Sequence, residues 1–125
     1  MESQTNRTYD LEERLLSYGA AIIVLTRSLS SDYAERHVGN QLLRSGTASL
    51  SHHGEAQGAE SPADFIHKLR LALKELREAE RWLKLIARAG SGPSNPNLNP
   101  LLDETDQLIR IFVSSIATAE KRRSS

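Results

Sequence analysis

Apolar residues return at three- and four-residue intervals in four separate stretches of this chain, each bounded by polar or helix-breaking residues. That rhythm lines one face of an α-helix. The first stretch is Leu11, Leu15, Tyr18, Ile22, Leu25 and Leu29, with Leu16 and Ile23 widening its apolar face. Asp10 with Glu13 reads as an N-capping box and Ser28 to Asp32 as a polar break, which predicts a helix over 10–29. The second stretch is Val38, Leu42, Ser45, Ser49, His52 and Ala56, predicting a helix over 33–59. Gly39, Gly46, Gly54 and Gly58 weaken it, each by roughly 1 kcal/mol against Ala. Small residues at Gly39, Ser45, Gly46 and Ser49 would let another helix approach closely. A break near Gly46 or Gly54 is the competing reading.

The third stretch has the clearest start. Ser61 caps it, Pro62 suits the first helical position and Asp64 completes a capping box, so the helix runs over 62–89 and stops at Gly90. Its apolar face is Phe65, Leu69, Ala72, Leu76, Ala79, Leu83 and Ile86. Breaker residues from Gly90 to Asn99 predict a loop. The fourth helix, over 100–121, takes Asn99 as N-cap and Pro100 at its first position, with Asp103, Glu104 and Asp106 near its positive end. Its seam is Leu102, Thr105, Ile109, Phe112, Ile116 and Ala119, and Lys121, Arg122 and Arg123 close it. Four amphipathic helices with short connections predict an all-α fold: an antiparallel up-down four-helix bundle in one domain spanning 1–125.

The polar side of the third helix changes this picture. Arg70, Lys74, Arg77, Arg81, Lys84 and Arg88 fall within an arc of roughly 80°, opposite the apolar face. They form a rod of positive charge about 27 Å long at 1.5 Å per residue. The whole chain has a formal net charge of zero, but residues 61–90 carry seven Lys or Arg against four Asp or Glu. Attraction to a polyanion must therefore come from this helix, and from its repetition if the chain assembles. The plain alternative is a solvated helix face.

Composition excludes several chemistries. With no cysteine, disulfides, thiolate metal sites and a cysteine nucleophile are ruled out. No segment approaches the roughly 18 apolar residues of a membrane span, and the start of the chain is polar, so a soluble cytoplasmic protein is expected. His52 and His53 invite a metal reading, but adjacent helical residues point about 100° apart. His52 with Glu55 is one motif where a di-metal bundle needs two, so a packing or interface role is expected and no metal or cofactor. Lys68 and Glu75, near the edge of the apolar face, are read either as ion pairs fixing register between subunits or as stems snorkelling to water. Trp82 is either a partner anchor or an aromatic at the core edge. No Ser–His–carboxylate arrangement and no phosphate-cradling glycine loop stands out, so no enzymatic activity is expected.

Several segments resemble the small four-helix-bundle proteins encoded in intervening sequences of bacterial 23S ribosomal RNA genes. The likeness lies in residues 9–15 (Tyr-Asp-Leu-Glu-Glu-Arg-Leu), 41–47 (Gln-Leu-Leu-Arg-Ser-Gly-Thr) and 55–57 (Glu-Ala-Gln). It is strongest over 64–69 (Asp-Phe-Ile-His-Lys-Leu), followed by 72–75 (Ala-Leu-Lys-Glu) and Trp82-Leu83. The resemblance implies a ring-like homopentamer and kinship with the accessory proteins of diversity-generating retroelements, basic pentameric bundles that bind RNA and a reverse transcriptase. It implies no enzymatic activity. The chain departs from the family pattern in carrying His52 where Asn is usual, and from the retroelement accessories in its net charge of zero. The expected function is a non-enzymatic homo-oligomer that binds structured nucleic acid, RNA foremost, through Arg70, Lys74, Arg77, Arg81, Lys84 and Arg88. The alternative is a protein–protein interaction scaffold.

Overall fold

A computed structural model of the chain describes residues 4–89 and 95–125, with side chains described from Asp10 onward. It contains α1 (Gln4–Ser28), α2 (Tyr33–Gln57), α3 (Pro62–Arg88) and α4 (Leu98–Ser124), and no strand among the described residues. Each helix runs antiparallel to its neighbour. Ile22 meets Gly46 while Leu29 meets Gly39 across α1 and α2. Glu55 pairs with Lys68 while Arg44 pairs with Glu75 across α2 and α3. Tyr18 and Thr105 join α1 to α4 through their hydroxyls, 2.7 Å apart. The architecture is the up-down four-helix bundle.

Local chemistry sets most of the helix ends. The Ser61 hydroxyl accepts from the Asp64 amide at 3.0 Å, and Pro62 occupies the first turn, where its missing N–H leaves nothing unpaired. Asp32 caps α2 in the same way, accepting from the Glu35 amide at 2.8 Å. α4 starts at Leu98, so Asn97 rather than Asn99 is its N-cap residue, and it makes no side-chain cap bond. Asn95 does that work instead: its carbonyl oxygen accepts from the Asn97 amide, and its amide donates to the Ser28 hydroxyl at 2.6 Å, tying α4 to the end of α1.

The core is a continuous cluster that includes Leu15, Ile22, Leu42, Leu69, Leu76, Leu83, Leu108 and Phe112. Several expected positions are corrected. Asp10 and Glu13 lie inside α1, which begins at Gln4, so they are not a cap. Leu16 and Ile23 face outward. α2 is unbroken through Gly46 and Gly54, and its buried line is Gly39, Leu42, Ser45, Gly46, Ser49, His53 and Ala56. His53, not His52, is the core histidine. In α4 the core takes Leu101 and Leu108, while Leu102 and Ile109 pack at its margin. Leu101 and Leu108 lie about 100° round the helix from Leu102 and Ile109, and it is packing against the other helices that selects their side. Part of the predicted 90–99 loop, residues 90–94, lies outside the described residues.

Candidate nucleic-acid interface

α3 holds its two faces apart. Ile66, Leu69, Ala72, Leu76, Ala79, Leu83 and Ile86 are buried, with Phe65 half-buried beside them. All six stripe residues, Arg70, Lys74, Arg77, Arg81, Lys84 and Arg88, are exposed. Arg70 pairs with Glu120 of α4, and Lys84 lies 3.6 Å from Glu80 one turn back on its own helix. Lys74, Arg77, Arg81 and Arg88 form no ion pair among the described residues. Arg70, Lys74, Arg77 and Arg81 border a shallow groove of about 390 Å³ between α3 and α4, floored by Leu73 and Ile116. Four cations spread over about three helical turns beside an open groove give anionic oxygens several contacts.

The other charged residues of α3 are occupied within the fold. Lys68 sits 3.3 Å from Glu55, which also lies 3.4 Å from His52 Nδ1. Glu75 accepts from Arg44 at 3.0 Å, and Arg44 also pairs with Glu78. Lys68 and Glu75 therefore tie α2 to α3 within one chain. Trp82 is half-buried at the same seam: its indole N–H donates to Glu78 at 3.2 Å, and its ring meets His37 edge-on at 6.3 Å. The Arg44 and Glu120 partners had no signal in the helical period, because both contacts depend on how neighbouring helices are registered.

His53 packs edge-to-face on Phe112 at 6.2 Å, with Gln57 Nε2 3.3 Å from its Nε2. Burial pushes its pKa down, with Glu12 opposing. Burial likewise pushes the Tyr18 phenol up to about 12, against its bond to Thr105. Among the described residues no three of His, Asp and Glu gather closely enough to hold a metal ion. No described helix is long and apolar enough to cross a membrane.

Residues 10–114 match the 23S rRNA-intervening sequence protein family. The chain belongs to that family. A solved structure from Bacteroides thetaiotaomicron, described as a protein of unknown function from the S23 ribosomal protein family, is similar in fold and sequence. It shares 30% identity with a TM-score of 0.80, covering 88% of this chain and 97% of that one. No curated protein matches. The similarity in fold thus accounts for the bundle. The side-chain geometry around Lys74, Arg77 and Arg81 is what adds a chemical reading to it.

Proposed function

We propose that this intervening-sequence protein is a non-enzymatic homo-oligomer that binds structured RNA through the exposed basic face of α3. The observation that carries this reading is the fate of the stripe's charges. Four of six cations, Lys74, Arg77, Arg81 and Arg88, keep no acidic partner among the described residues, although the chain is neutral overall and pairs most other α3 charges internally. An arginine or lysine without a carboxylate partner binds phosphate without first breaking an ion pair. Few aromatics are available for base stacking, so recognition follows backbone shape rather than sequence. A single chain offers at most six such contacts, and repetition around a ring, pentameric as the family resemblance implies, multiplies them. The finer reading is an accessory that holds RNA beside a reverse transcriptase.

The test is a salt titration of binding to a double-stranded RNA probe. Replacing Lys74, Arg77 and Arg81 together with Gln leaves the fold intact and shallows the log–log salt slope by about 2.7 units, at roughly 0.9 per phosphate contact. An unchanged slope, or no binding by the wild type at low salt, transfers the case to a protein-binding scaffold, whose apolar contacts vary little with salt.

A further inference from the structure

The groove between α3 and α4 holds more than charge. Arg70, Lys74, Arg77 and Arg81 border it, but its floor is apolar: Leu73 of α3, half-buried, and Ile116 of α4, a core residue with 8% of its surface still open. Phosphate oxygens are held by charge-assisted hydrogen bonds, to which apolar surface contributes nothing. The groove's volume of about 390 Å³ lies within the range of sites that enclose a small organic group, roughly 300–1,000 Å³. It also has a direction. Glu120 pairs with Arg70 at one end, so a carboxylate stands there. Lys74, Arg77 and Arg81, along the rest, have no acidic partner among the described residues. Lys84 and Arg88 lie beyond the groove on the same stripe.

We propose that this groove takes one unpaired nucleotide of a structured RNA. The base, turned out of its helix, lies on Leu73 and Ile116; the guanidinium of Arg77 stacks on its other face, and the flanking phosphates meet Lys74 and Arg81. This rests on the RNA reading and names what the site selects. Arg77 follows Leu73 by four residues, so the two side chains are neighbours on one face of α3. No aromatic side chain is among those lining the groove, and a planar guanidinium stacks on a nucleobase in place of one. A continuous duplex leaves the floor uncovered. In A-form RNA the bases are stacked inside, and the surface offered to a protein is largely phosphate and 2′-hydroxyl. Every base has a face to stack, so the site distinguishes unpaired from paired rather than one base from another. That agrees with recognition by shape.

The experiment measures binding of the whole chain, at one fixed salt concentration, to blunt RNA duplexes of the same sequence. One is fully paired, one carries a single bulged adenosine, and one carries an abasic nucleotide at the bulge, matched to the second in phosphates. The bulged adenosine is bound about tenfold more tightly than either of the others. Arg77→Lys keeps the charge and loses the plane, which lowers that preference to about threefold or less. Lys84→Gln, beyond the groove, weakens binding to all the duplexes together and leaves the preference in place. Equal binding of every duplex by the wild type overturns the inference while the RNA reading stands. An abasic bulge bound as tightly as adenosine also overturns it, because the bulge then acts through a pliable backbone and not through its base. A preference undiminished in Arg77→Lys overturns the stacked placement. No RNA binding by the wild type at low salt overturns both the inference and the reading beneath it.

Discussion

α2 and α3 pack against each other from the His37–Trp82 contact at one end to the Glu55–Lys68 pair at the other, yet they are helical for opposite reasons. α3 is a helix on its own terms. It is capped by Ser61, started by Pro62 and filled with Leu, Ala, Lys, Arg and Glu, with apolar and basic residues on opposite sides. α2 holds Gly39, Gly46 and Gly54 in its interior and buries Ser45, Ser49 and His53. Its helicity is supplied by packing. An added methyl at Gly46 would lie 2.9 Å from Ile22 Cγ1, so the glycine marks where α1 presses closest. The buried hydroxyls of Ser45 and Ser49 turn back onto carbonyls of their own helix, at Gln41 and Gly46. A strong helix can spare one face for a partner. A weak one needs its core contacts to be a helix at all.

The comparison breaks most readily in the centre of α3. Leu76 is fully buried, and truncation to Ala should cost about 2–5 kcal/mol in chemical denaturation. Arg77→Ala, one residue on and exposed, should stay within about 0.5 kcal/mol. Equal costs at the two positions would mean that the stripe is covered in the assembled protein.

The next largest effect belongs to α2. Gly46→Leu drives a side chain into Ile22 and should destabilise by about 1–3 kcal/mol or prevent folding, where the same change at an open helical position would be mild. A stable, well-folded Gly46→Leu chain would show that the α1–α2 approach is looser than 2.9 Å implies.

His53 sharpens the comparison through pH. Its pKa is depressed in the folded chain by burial, so the unfolded chain binds the proton more tightly. Stability is therefore fully present above the unfolded value near 6.5 and falls as pH drops through it toward the lower folded value. Thermal melts at about pH 7.5 and about pH 5.5 should show this loss, and His53→Gln should flatten it. An equal acid response in the variant would place the effect elsewhere.

These contrasts also explain what could be read from the chain beforehand. α3 was legible almost residue by residue, cap, core face and basic face, because local propensity, periodicity and capping agree there. α2 was legible as a helix but not in its phase. His52 and Val38 fit the apolar rhythm about as well as His53 and Gly39, and only the close approach of Ile22 and Leu29 selects the glycine side. In α4, Asn99-Pro100 is a strong start signal that yields to a helix already begun at Leu98, since Pro is tolerated throughout a first turn. The outward turn of Leu16 and Ile23 had no local cause at all: apolar residues read as core until the other helices are in place. For the basic stripe the sequence supplied membership and exposure. The Arg70–Glu120 and Lys84–Glu80 pairs, which leave Lys74, Arg77, Arg81 and Arg88 as the unpartnered members, came from the geometry.

The smallest expected effect puts α2's two kinds of glycine side by side. A methyl at Gly54 would meet nothing within 4 Å, and the position is exposed within the helix. Gly54→Ala removes backbone freedom from the unfolded chain without crowding the folded one, so it should stabilise by about 0.5–1 kcal/mol, a rise in Tm of about 2–6 °C. Gly46→Ala makes the same chemical change where Ile22 stands 2.9–3.0 Å away, and should lower Tm instead. Paired melts of the two variants test whether α2's glycines differ by environment alone. A loss of stability in Gly54→Ala would show that this face, open in the single chain, is pressed against something when the protein is assembled.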